Sequence, residues 1–219
     1  MSEQNSVLVL GEETFPWHSL EDRVDAFHDI LSPLGAIHLS TDRDELTRLD
    51  RRDVVVDYLS NSTLTTAQLD GLRTFIETGG GYVGLHCAAD LTSISYEDGE
   101  VKSRPEPHPE FRDLLGGHFL THPEQTEFTV TIERTHSITE GVDDFTIFDE
   151  PYQVEWDDDV TILARMNHPD LEDYPILWVK PFGDGRVCYL SLGHTDEAFA
   201  TDSFRTLLRN AVRWTNGDT

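Results

Sequence analysis

Over the first 90 residues short apolar runs alternate with amphipathic stretches, the pattern of a parallel sheet joined by crossover helices. Val7-Leu8-Val9-Leu10 is an uninterrupted apolar run closed by Gly11 and predicts a strand. Leu20, Val24, Phe27, Ile30 and Leu31 return at helical spacing, so a helix from about Ser19 to Leu31 should lay one face on the sheet. Ala36 to Leu39 and Val54 to Leu59 predict the next two strands. Thr65-Thr66-Ala67-Gln68 fits a capping box, and Leu69, Leu72, Phe75 and Ile76 form the face of the helix it opens. Gly79-Gly80-Gly81 stops that helix before a strand from Tyr82 to Leu85.

After Asp90 the rhythm loosens into long loops around a short helix, Pro109 to Leu115, and strands at Phe128 to Ile132 and Val160 to Met166. Ile176 to Val179 and Val187 to Leu192 flank the turn Gly183-Asp184-Gly185, a hairpin signal. Phe204, Leu207, Leu208 and Ala211 mark one face of a final helix. No repeat or seam of composition divides the chain, which predicts one α/β domain over residues 1–219.

Charge narrows the partners. With 42 acidic against 16 basic residues the net charge is -26, which excludes nucleic acid and anionic membrane surfaces and leaves a small molecule, or a second copy of the chain in a homo-oligomer. Only Lys102 and Lys180 are lysines, and aspartates crowd the loops, a pattern expected of a high-salt cytoplasm where screening relieves self-repulsion. Cys87 and Cys188 sit inside apolar runs and should be reduced and buried. No leader opens the chain and no apolar stretch is long enough to span a bilayer, so the expectation is a soluble cytoplasmic protein.

In an open parallel sheet, ligands bind beyond the carboxyl ends of the strands. That rule singles out four stretches, at 84–88, 116–123, 148–152 and 192–197. The run GGGYVGLHCAAD at 79–90, GGHFLTHP at 116–123, DEPY at 149–152, and GRVCYLSLGHTDEAF at 185–199 ahead of Trp214 and Gly217 resemble, in this order, the blocks of the ThuA-like (trehalose-utilisation) family. The resemblance covers roughly residues 79–217. It implies a flavodoxin-like, three-layer sandwich with a mainly parallel sheet, related to class I glutamine amidotransferases, and a role in disaccharide or keto-sugar metabolism.

Set against the amidotransferase elbow, glycine-x-cysteine-x-glycine, His86 stands where the nucleophilic cysteine belongs, bracketed by Gly84 and Ala88 as a strained strand-end turn requires. Glutamine hydrolysis through a thioester is therefore not expected, and Cys87 should point into the core. His194 followed by Asp196 resembles the amidotransferase base and its orienting carboxylate, with Glu197 a second candidate for that role. Glu150 can act as general acid, general base or oxygen ligand, so His86, Glu150 and His194 form the candidate catalytic set. Trp17, His18, Tyr152, Asp196 and Glu197 are candidate substrate contacts, the aromatics for stacking on a sugar ring. His118 and His122, four apart and thus on one face, are candidate ligands of a divalent metal, zinc or manganese, together with His86 and His194. The expected chemistry is proton transfer beside the carbonyl of a keto-sugar, acid–base or metal-assisted. The rival readings are a catalytically silent carbohydrate- or partner-binding module and a hydrolase built on Cys87 and His194.

Overall fold

Alternate residues of the central strands face opposite layers, and that alternation decides where each helix packs. The computed structural model describes residues 5–218. The first half runs β1 (Asn5–Leu10), α1 (Val24–Leu31), β2 (Gly35–Ser40), β3 (Val54–Asp57), α2 (Thr66–Glu77) and β4 (Gly81–Leu85). There follow β5 (Ser93–Glu97), β6 (Glu100–Ser103), α3 (Pro109–Leu115), β7 (Gly117–Thr121), β8 (Thr126–Ile132), β9 (Phe145–Asp149) and β10 (Gln153–Trp156). The chain closes with β11 (Thr161–Asn167), β12 (Pro175–Phe182), β13 (Gly185–Leu190), α4 (Asp196–Ala200) and α5 (Asp202–Thr215).

Nine strands form one sheet in the order β2-β1-β3-β4-β13-β12-β11-β8-β9. The first five are mutually parallel and the four pairings from β13 to β9 are antiparallel. Because each antiparallel step reverses direction, β11 and β9 run with the parallel set, and only β12 and β8 oppose it. The carboxyl ends of β1, β3, β4, β13 and β9 therefore all lie at one rim. Val7, Val9, Val54, Val56, Val83 and Leu190 face α1 and α5, meeting Phe27, Ile30, Phe204 and Leu208. Their neighbours Leu8, Leu10, Val55, Tyr82 and Tyr189 face α2 and α3, meeting Leu72, Ile76, Phe111 and Leu115. The alternating pattern predicts the parallel sheet with its crossover helices, and the three layers are those the family resemblance implies.

Departures are local. The capping box at α2 is complete, with Thr65 accepting from the Gln68 N–H and Gln68 accepting from the Thr65 N–H. The first helix, by contrast, begins only at Val24, which is exposed, after a 3₁₀ turn over Glu21–Arg23. Leu20 is buried because the loop after β1 holds it, its N–H donating to the Glu12 carbonyl. The stretch around His118, which falls among the long loops expected after Asp90, is instead β7, paired with β10. No helix among the described residues is long and apolar enough to cross a membrane.

Candidate active site at the strand-end rim

His86 follows β4 directly and has φ of 45°, a left-handed backbone that costs a non-glycine residue about 1–3 kcal/mol. This is the elbow expected at Gly84–Ala88. Its ring is fully buried, and Nδ1 lies 2.7 Å from the Ser191 carbonyl, just beyond β13. A carbonyl only accepts, so Nδ1 carries a proton and Nε2 is the ring atom turned into the cluster. That Nε2 is buried without a hydrogen-bond partner and lies 3.4 Å from Glu150 Oε2.

The loop after β1 delivers His18 to the same point. Its Nδ1 is 2.6 Å from Ser60 Oγ beyond β3, and its Nε2 is 3.0 Å from His194 Nδ1. His194 Nδ1 lies in turn 3.2 Å from Glu150 Oε2. One atom each from His18, His86, Glu150 and His194 thus lies within 4.8 Å of all the others. The walls of this cluster are set by β9. Asp149, fully buried at the end of that strand, accepts from the N–H groups of Gly193, His194 and Thr195 at 2.7, 3.0 and 3.2 Å. Three such bonds bind the loop after β13 to β9, and Arg23 adds a 2.6 Å bond to the His194 carbonyl.

Protonation follows from this packing. Burial, reinforced by His86 and His194, holds His18 well below the ordinary histidine range. Burial and the neighbouring His86 lower His194 to about 4, so both rings are neutral at pH 7. Burial alone would raise Glu150, but His86, His194 and His122 around it outweigh that and hold it below the usual carboxylate range. At neutral pH the cluster therefore sets two neutral rings, His18 and His194, beside an ionised carboxylate.

Several of the residues expected from the sequence take other places. Asp196 does not orient His194. It lies in the first turn of α4, its side chain 87% exposed, paired with Arg23. Glu197 is likewise exposed there, and the carboxylate that meets His194 is Glu150. His118 and His122 do not converge, because opposite β10 the register slips between Gln153 and Val154, leaving Leu120 of β7 as an extra residue. Such a bulge reverses the alternation of faces. His118 turns toward Glu155, 3.7 Å away, whereas His122, half open to solvent, lies 3.7 Å from Glu150. Tyr152 is buried with its ring 4.1 Å from His86 and 4.3 Å from Phe119, which makes it a wall of the cluster and leaves it no open stacking face. Trp17 remains exposed, packed edge-on against Phe15 and Tyr96.

Cys87 is fully buried in the core, and burial pushes its thiol well above the ordinary value, which removes the thiolate a Cys87/His194 hydrolase needs. Ser60, Ser191 and Asp149 were missed as site residues. Serine and aspartate just past strands carry no distinguishing signal beyond that position. A groove of about 900 Å³ around Thr135, His136, Glu140 and Asp143 lies at the opposite end of β9 and shares no residue with the cluster.

Fold and site together define a flavodoxin-like α/β protein in which a histidine occupies the strand-end elbow. The chain belongs to the ThuA family, whose model, described as Trehalose utilisation, matches residues 6–215. It is similar in structure to a ThuA-like protein from Bacteroides uniformis ATCC 8492, with 24% identity and a TM-score of 0.77 over 97% of this chain and 91% of that one. A ThuA-like protein from Parabacteroides merdae ATCC 43184 follows at 16% identity and a TM-score of 0.72, covering 98% of this chain and 90% of that one. The fold also resembles a 31% portion of a β-galactosidase from Bacillus circulans sp. alkalophilus, at 13% identity and a TM-score of 0.66 over 98% of this chain. Among curated proteins no relative matches.

Proposed function

We propose that the rim cluster handles a small polyhydroxylated carbohydrate, a disaccharide or keto-sugar, and promotes proton transfer beside its carbonyl. The observation that carries this reading is the convergence of His18, His86, His194 and Glu150 at the strand ends, two of the rings neutral and the carboxylate ionised. Sugar hydroxyls are donors that such a lone-pair-rich site accepts, and the acidic carbon next to a carbonyl gives its proton to a base of this kind. The family's description, Trehalose utilisation, supports the carbohydrate class. Trp17, exposed beside His18, offers an aromatic face for a sugar ring. The inert Cys87 argues against a thioester route.

The test is a calorimetric and turnover screen of keto-disaccharides with wild-type protein and the variants Glu150→Gln and His86→Ala. Turnover should fall about 100-fold or more in each, the scale of a lost acid–base group. Equal binding and turnover in all three proteins would refute the assignment.

A further inference from the structure

Three of the donor–donor separations within the cluster are those of adjacent ligands around one ion. We propose that His18 Nε2, His86 Nε2, His194 Nδ1 and Glu150 Oε2 bind a single divalent first-row transition metal of the zinc or manganese class, with its open side toward His122. This rests on the same rim as the carbohydrate reading but not on the identity of any sugar.

Four observations carry it. First, the neighbouring donor atoms are 3.0, 3.2 and 3.4 Å apart. Bonds of about 2.0–2.1 Å place adjacent ligands about 2.9 Å apart in octahedral geometry and about 3.4 Å apart in tetrahedral geometry, so one ion spans these separations. Second, His86 Nε2 is buried, aimed into the cluster, and has no hydrogen-bond partner. A buried polar atom without a partner is costly, and with Nδ1 donating to the Ser191 carbonyl, Nε2 is the atom that can ligate a cation. Third, two of the rings are oriented from behind as metal-bound histidines are, His86 by the Ser191 carbonyl and His18 by Ser60. His18 Nδ1 is 2.6 Å from Ser60 Oγ, which leaves Nε2 as the ring atom facing His194 Nδ1 across 3.0 Å, a separation one ion spans. Fourth, three imidazoles and one carboxylate are a borderline donor set, suited to zinc, manganese or iron and unlike the all-oxygen cages of calcium.

His118 is outside this set, and His122, 3.7 Å from Glu150 and half open to solvent, stands at its mouth without belonging to it. With an ion bound, Glu150 and the three rings would serve as its ligands in place of the free bases of the metal-free site, and the ion would polarise the substrate oxygen.

The experiment uses the full chain, stripped with a chelator and titrated with zinc chloride or manganese chloride alone, followed by elemental analysis after desalting. One ion per chain is expected. Glu150→Gln and His18→Asn should each weaken binding by about 100-fold or more, and Ser60→Ala by about 10-fold. His28→Ala, on the exposed side of α1, should bind as wild type does. Near-ultraviolet circular dichroism distinguishes a lost ligand from a lost fold in each variant. Folded wild-type protein that retains no ion, or Glu150→Gln and His18→Asn variants that bind as tightly as wild type, would overturn the proposal. In the metal-free case the 3.0 Å contact is an N–H···N hydrogen bond between His18 and His194. Ion binding without any effect on sugars would count against the carbohydrate reading alone.

Discussion

Asp57 ends β3 fully inside the protein, where its carboxylate accepts from the Tyr82 hydroxyl at 2.7 Å and the Leu59 N–H at 3.0 Å. Those two bonds do not offset its burial, which raises it to about 6. An acid whose folded value lies above its unfolded value binds more protons when folded. Stability from this group is thus present at low pH and is lost as pH rises from about 4 through about 6, by on the order of 2–3 kcal/mol. Asp57→Asn keeps the shape and, through its one amide oxygen, the bond from the Leu59 N–H, while its NH2 donates to the Tyr82 hydroxyl oxygen in place of the bond accepted there, all without the charge. It should therefore raise the unfolding free energy at pH 7.5 by about 1–3 kcal/mol and change little at pH 4.5. Denaturant melts at the two pH values test this, and an equal difference at both would refute it. The same scale shows why side-chain partners were hard to read. The carboxylate that meets His194 is Glu150, one residue past β9 and 44 residues earlier, whereas the nearby candidates Asp196 and Glu197 are both carried to solvent by the first turn of α4.

Among elements, β4 and its elbow show how a correct position can have an unforeseen cause. In the sequence Gly84 is a small residue bracketing a strained His86, and the strain is at His86 as expected. A side chain at Gly84 would instead place its Cβ 2.8 Å from Leu115 of α3 and 3.3 Å from Tyr82 and Tyr189. Gly84→Ala should accordingly cost about 1–3 kcal/mol through overpacking, measurable by chemical denaturation, and displace His86 with the strand end. An unchanged stability would mean that α3 yields at no cost. The strands and helices themselves were legible because periods of 2 and 3.6 are written locally, as in β1, α2 and α5. The hairpin of β5 and β6 was not, since Ser93–Glu97 and Glu100–Ser103 are short and mostly solvated. Nor was the slip at Leu120, which depends on a partner strand more than 30 residues on and decides that His118 and His122 part company.

At the scale of the whole molecule the net charge of -26 sets the conditions for folding. Raising salt from about 0.1 to 1 M shortens the screening length from about 10 to 3 Å, which relieves the repulsion of a large carboxylate excess more than it weakens the arginine pairs. The melting temperature should rise over that range, and a flat or falling trend would show that the acidic surface is no adaptation to salt. The order of the sheet has a consequence for synthesis. β13, the last strand made, lies at the middle of the sheet, between β4 and β12. A growing chain that has not reached Gly185 therefore holds two half-sheets with open edges, and until the ribosome has released the loop beyond β13 it lacks the third histidine and the backbone N–H groups that Asp149 grips. The last strand added thus both joins the sheet and assembles the site.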